Sequence, residues 1–148
     1  MDTLSAQLTG IVESAQAILR GLTEPEVSRQ VSEGGWSRKQ LLGHLIESAS
    51  NNHQRFVRAA LADSLDFPAY DTPGSVRVEC AQDAPWGMLV DLWVAYNRYL
   101  AHVIAHLPAE KLGVPCRIGA HHPVSLAFLA EDYVAHMVHH LRQIRSLP

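Results

Sequence analysis

The strongest constraint on the fold is a repeat of apolar side chains at steps of three and four. Trp86, Leu89, Trp93, Tyr96, Leu100, Val103 and Leu107 follow it almost without a break. On a helix such a set forms one stripe, which must be buried against another element. Three further segments share the pattern. Leu4, Leu8, Ile11, Ala15, Ile18 and Leu22 mark a first helix from about Thr3 to Leu22, with Gly21 and Pro25 at its end. Leu41, Leu45, Ala49, Phe56 and Ala60 mark a second, reaching about Ala62. Ser37 precedes Gln40 by three, a capping box with Trp36 ahead as a hydrophobic staple. The third helix spans about Pro85 to His106, with Asp83 as N-cap. The fourth opens near Pro123 to Ser125 and reaches about Ser146, with Leu126, Leu129, Tyr133, Met137, Leu141 and Ile144 inward.

Four amphipathic helices of this length predict an all-α four-helix bundle, one domain over residues 1–148. Two connections are long, Asp63 to Ala84 and Pro108 to His122. A long crossover lets consecutive helices lie parallel, and the second and third are the best candidates. The stretch Asp63–Ala84 reads as a loop able to cover a cleft, with Val76–Cys80 as a short extended piece. No strand set, internal repeat or low-complexity segment is evident.

The net charge of −3 argues against a general nucleic-acid binder, whose footprint is basic. No apolar run approaches the roughly 20 residues of a membrane span. The start, MDTLSAQLTG, lacks the basic and apolar regions of a signal peptide, so a cytoplasmic protein is expected. Cys80 and Cys116 form no CxxC pair and read as two separate thiols.

The abundant reactive side chain is histidine, with nine copies. EDYVAHMVHHLRQI, residues 131–144, holds three of them. Each residue advances a helix by about 100°, so His136 and His140 share one flank of the apolar stripe, within about 40° of each other. Asp132 and Gln143 extend that flank, whereas His139 faces water. Two histidines at i and i+4 can grip one metal ion. The spacing alone proves little, because His102 and His106 share it on the polar side of the third helix. A third ligand must come from elsewhere. His44 heads a polar stripe with Ser48, Asn51 and Arg55 on the second helix. That stripe is either a functional face or the wet side of the helix, and the pattern sets His44 nearer the polar side. His53 lies nearer the apolar side and suits a hydrogen-bonded packing role. His121 and His122 fall in a loop whose position is open.

Trp36 before a capped helix carrying GHLIESASNNHQRF, then LWVAYNRYL, then DYVAHMVHHLRQI, resembles the DinB/YfiT-like superfamily. The resemblance runs from about Trp36 to Ile144. It implies up-down-down-up topology and a divalent metal on three histidines, which match His44, His136 and His140. It implies a metal-dependent hydrolase or a thiol-dependent S-transferase using a low-molecular-weight thiol, acting on a small molecule. It also implies a homodimer. The alternative is a non-catalytic binding or stress-response protein with a structural or vestigial metal.

Three neutral imidazoles leave a position for water or a thiol, and Zn or Ni suits them best. Asp132, Asn51 and Glu47 are the expected groups behind the ligands. Ser48, Arg55, Tyr70 and Tyr133 are expected around a substrate pocket. Arg55 is placed either to meet an anionic group or as an ordinary surface arginine. The di-iron bundle pattern and the HExxH zinc motif are both absent.

Overall fold

The computed structural model describes residues 1–30 and 34–147. Its elements are α1 (Asp2–Arg20), α2 (Glu24–Ser28), α3 (Arg38–Ala60), β1 (Leu65–Phe67), α4 (Thr72–Glu79), α5 (Trp86–Ala105), β2 (Pro115–Ile118), β3 (Val124–Ser125) and α6 (Leu126–Ser146). The four long helices α1, α3, α5 and α6 form the bundle. α1 packs on α5, α5 on α3, and α3 on α6.

Hydrogen bonds between helix ends fix the directions. Trp86 at the start of α5 donates Nε1–H to the Leu19 carbonyl at the end of α1 (2.8 Å), so these helices are antiparallel. Ser37, the N-cap of α3, meets Gln82 just before α5, and Lys111 just after α5 donates to the Ala62 carbonyl just after α3. α3 and α5 are therefore parallel. Arg38 at the start of α3 donates to the Ile144 carbonyl at the end of α6 (2.9 Å), which makes that pair antiparallel. The order is up-down-down-up. A parallel pair forces the chain to travel back along the bundle, which is why the 61–85 connection is long.

The capping box at α3 forms as its residues dictate. Gln40 N donates to Ser37 Oγ (3.2 Å), and Ser37 N donates to Gln40 Oε1 (2.9 Å). Ser125 caps α6 in the same way, accepting from Phe128 N (3.1 Å).

Several local expectations are corrected. Pro25 does not merely end α1: it sits in the first turn of α2, which Thr23 and Glu26 cap reciprocally. Val76–Cys80 is not extended. It belongs to α4 and its C-cap, and Asp71 caps that helix by accepting from Gly74 N (3.1 Å). Asp83 lies in a 3-10 turn, and Pro85 is the residue flanking α5. A small sheet exists, with β1 parallel to β2 and β2 antiparallel to β3. These strands are too short for sequence periodicity to register. The sheet ties the two long connections together at one end of the bundle. There Gly119, at φ +58°, donates to the Phe67 carbonyl (2.8 Å), and a Cβ in its place would lie 2.9 Å from that of Ala69.

The core runs through Phe56, Trp93, Leu100, Leu126 and Met137, all fully buried. The stripe on α1 is rotated from its expected phase. Leu8, Val12 and Leu19 are buried, and Ile18 is 39% exposed. α1 leans mainly on α5, so a narrower face is covered, and Ile11, Ala15 and Ile18 border an open groove toward α6. Cys80 is exposed, Cys116 is buried, and both are free thiols. Among the described residues no helix is long and apolar enough to cross a membrane.

Candidate metal centre

α3 is enclosed by α5, α6, α4 and the 3-10 turn at Ala81–Asp83. Its polar stripe is therefore not a wet face: His44, Ser48 and Arg55 are buried and Asn51 is half-buried, with Glu47 and Asn52 buried beside them. Because α6 runs antiparallel beside α3, the second turn of α3 faces the C-terminal half of α6. His44 thus meets His136 and His140.

His136 Nε2 lies 3.2 Å from His44 Nε2 and 3.1 Å from His140 Nε2. The three rings stand nearly perpendicular to one another, at 77–82°. His44 is only 4% exposed, and the α6 pair is half-buried. Burial, and then the neighbouring imidazoles, push the His44 pKa down to about 4. His136 falls to about 4 for the same reasons, against a smaller opposing pull from Asp132. Burial also lowers His140, partly offset by its hydrogen bond to Gln143. All three are neutral near pH 7, the form that ligates a metal.

The outer nitrogens decide where the lone pairs point. Gln143 Oε1 accepts from His140 Nδ1–H (2.7 Å). Glu47 Oε2 lies 3.6 Å from His44 Nδ1, within ion-pair reach but beyond a hydrogen bond, and both atoms are buried with no hydrogen-bond partner. A carboxylate oxygen only accepts, so it too favours the Nδ1–H tautomer. Both rings then aim an Nε2 lone pair at His136 Nε2, which can carry one proton at most. A cation satisfies all three at once. The two separations from His136 are close to the edge of a tetrahedron with metal–nitrogen bonds of about 2.0–2.1 Å, roughly 3.3–3.4 Å, and all three ligand atoms lie within 4.8 Å of one another. The residues present fit a divalent metal.

The surroundings sort the other candidates. Glu47 stands behind His44, and burial raises its pKa, with Asp71 adding to the rise and a hydrogen bond from Ser75 opposing it. Ser48 Oγ is 3.5 Å from His136 Nδ1. Asn51 is not behind a ligand: its Nδ2 donates to the Glu47 carbonyl (3.1 Å), a bond within α3. Asp132 lines the adjoining pocket and acts on His136 through its charge. Gln143 takes the outer role instead, and its place on the His136 flank was its sequence signal. Trp36, expected as a staple, lies against His44 with ring centroids 5.5 Å apart. Nothing in its spacing pointed to that contact.

Beside His136 lies a pocket of about 240 Å³ bordered by Ser48, Arg55, Tyr70, Asp132 and Tyr133. Tyr133 contributes only its wall, because its hydroxyl donates to Asn97 in the core. Burial raises the Tyr70 phenol, followed by the Glu47 charge, while the Arg55 charge and hydrogen bonds with Ser48 and Thr72 oppose the rise. The 63–84 connection supplies Tyr70 and Thr72, so part of it covers this pocket. His121 borders it from the β2–β3 loop. On the far side of the triad, Trp36, Leu41, His140 and Gln143 bound a hollow of about 420 Å³. The remaining histidines stay out. His102, His106 and His139 are exposed, and His53 bonds through Nδ1 to the Tyr96 hydroxyl (3.2 Å).

The sequence from residue 7 to residue 144 matches the DinB superfamily model. The chain belongs to the DinB superfamily. A relative from Bacillus pumilus, named "Putative metal-dependent hydrolase", is 26% identical over 146 residues, covering 95% of this chain and 81% of that protein. A relative of similar name from Oceanobacillus iheyensis is 24% identical over 127 residues, covering 86% and 73%. Among solved structures, YfiT from Bacillus subtilis is described as "a probable metal-dependent hydrolase with an unusual four-helix bundle topology". It matches with a TM-score of 0.81 at 19% identity, over 97% of this chain and 85% of that one. At that identity the likeness speaks for the DinB fold.

Proposed function

We propose that this DinB-superfamily chain is a metal-dependent enzyme that hydrolyses a small molecule, with His44, His136 and His140 as the ligands. The observation that carries this reading is the convergence of three neutral imidazoles on one point, with Glu47 and Gln143 behind two of them. The names of the two relatives point the same way. When bound, a divalent metal supplies Lewis acidity and lowers the pKa of a bound water or thiol.

The chain's own residues do the rest. Gln143 holds His140 in the ligating tautomer by a hydrogen bond, and the Glu47 carboxylate, 3.6 Å from His44 Nδ1, favours the same tautomer there through its charge. Trp36 and the walls of α3 and α6 limit access of bulk water to His44. Tyr70, whose phenol keeps its proton at neutral pH, is a hydrogen-bond donor at the pocket beside His136. Thiol S-transfer needs the same centre and is the neighbouring reaction class. Zn and Ni both suit three imidazoles.

Metal content tests the reading. Untagged protein purified without chelator carries bound Zn or Ni. His136→Ala and His140→Ala lose it, whereas His102→Ala keeps it. If the wild type binds none, and added Zn²⁺ or Ni²⁺ leaves its melting temperature unchanged, the proposal fails. Glutathione, bacillithiol and mycothiol then separate the two chemistries. A concentration-dependent rise in melting temperature selects thiol transfer, and no rise with any of them selects hydrolysis.

A further inference from the structure

Arg55 is 8% exposed, and among the described residues no carboxylate lies within ion-pair distance of it. A buried arginine normally meets a carboxylate, because an unpaired buried charge is costly. Here the guanidinium is held by ring faces instead. Its carbon sits 5.3 Å from the centroid of Phe67 and 5.7 Å from that of Tyr70. Cation–π contact uses the flat face and consumes none of the five N–H donors at the edge. One donor reaches Asn52 Oδ1, at a long 3.4 Å, and Nε–H is buried with no partner. The same side chain borders the pocket that His136 borders.

We infer that Arg55 is the anchor for a carboxylate on the substrate, held in this pocket while the bond to be broken lies at the histidine triad. The inference rests on the triad being the reactive centre. A carboxylate accepts two parallel bonds from a guanidinium edge, and an orphaned donor gives it one ready position. Asp132 lines the pocket and its charge acts on Arg55, so a singly charged carboxylate is repelled less than the dianion of a phosphate monoester. Arg55 lies two helical turns after Ser48, which touches His136, and on the order of 10 Å separates them along α3. The pocket, of about 240 Å³ and open to solvent, has room for the carboxylate end of a small acid.

The test follows the Arg55 Nε–H resonance by NMR during titration with propionate, its neutral isostere propionamide, or inorganic phosphate. Metal-free and Zn²⁺-loaded protein are both titrated. Propionate shifts the Arg55 signal in both states and binds about ten- to a hundredfold tighter than propionamide. Arg55→Lys weakens propionate by a similar factor and leaves bound zinc unchanged. Equal affinity for propionate and propionamide in the wild type overturns the inference, and that comparison needs no variant to fold. Tighter phosphate than propionate overturns the carboxylate assignment. Propionate binding that appears only with zinc and survives Arg55→Lys places the anion on the metal, sinking this inference and sparing the metal reading. Arg55-dependent binding in a protein that takes up no zinc upholds the anion site and sinks the metal reading.

Discussion

Gly43 and Gly10 both lie inside helices, and alanine at each should act in opposite directions. Helix propensity alone predicts that both substitutions stabilise, by about 0.5–1 kcal/mol. The surroundings break that symmetry. Around Gly10 an added Cβ meets nothing within 4 Å. At Gly43 it would stand 2.5 Å from Ala81 Cβ. Carbon atoms prefer about 3.5–4.0 Å, so the groups must separate by about 1.0–1.5 Å. Ala81 is buried in the 3-10 turn and has no flexible end to yield. α3 cannot retreat, because α6 packs against it as well. Overpacking of this kind costs about 1–3 kcal/mol. Taking the middle of each range, about 2 less about 0.75, Gly43→Ala destabilises by about 1.3 kcal/mol, or roughly 3–5 °C for a chain of this size. Urea unfolding followed by far-ultraviolet circular dichroism measures both variants. A Gly43→Ala protein as stable as Gly10→Ala, or more stable than the wild type, refutes the packing argument. Because residue 43 precedes His44, the same variant should also weaken Zn²⁺ uptake.

Two further perturbations test the interior. His44 and His136 have folded pKa values of about 4 against an ordinary 6.5, so the unfolded chain binds more protons between those limits. Their contribution to metal-free stability is complete above about pH 6.5 and is lost as pH falls toward 4. Discounted for partial solvent contact, the pair loses about 2 kcal/mol between pH 7.5 and 5.0. Urea midpoints should show a smaller loss for His136→Gln, and equal losses would contradict the burial of these rings. Tyr133→Phe leaves the Asn97 Oδ1 it bonds to unsatisfied in the core, costing about 1–3 kcal/mol by thermal unfolding, with metal uptake unchanged.

The parts legible in the sequence are those set by neighbours along one helix. The apolar repeats located α3, α5 and α6, and Ser37 with Gln40 marked where α3 begins, because caps and stripes depend on spacing within a few residues. Helical angle separated His136 and His140 from His139 for the same reason. α4 and the three short strands escaped. Their pairing partners are distant in sequence, and a few residues carry no period. α1 showed an apolar stripe, yet which edge of it is buried depends on how α5 and α6 lean.

The sequence by itself determined four amphipathic helices, a long crossover between a parallel pair, and two histidines on one flank of α6. Only the tertiary structure decided what the polar stripe of α3 is. The pattern set His44 nearer the polar side and left Ser48 and Arg55 on a stripe that reads as solvent-facing or as one wall of a cleft, since a helix cannot specify which neighbour covers each of its sides. Enclosure by α4, α5 and α6 buries that stripe, sets His44 Nε2 3.2 Å from His136 Nε2, and leaves Arg55 Nε without a partner. Convergence and burial arise from packing between elements far apart in the chain, which spacing within one element does not encode.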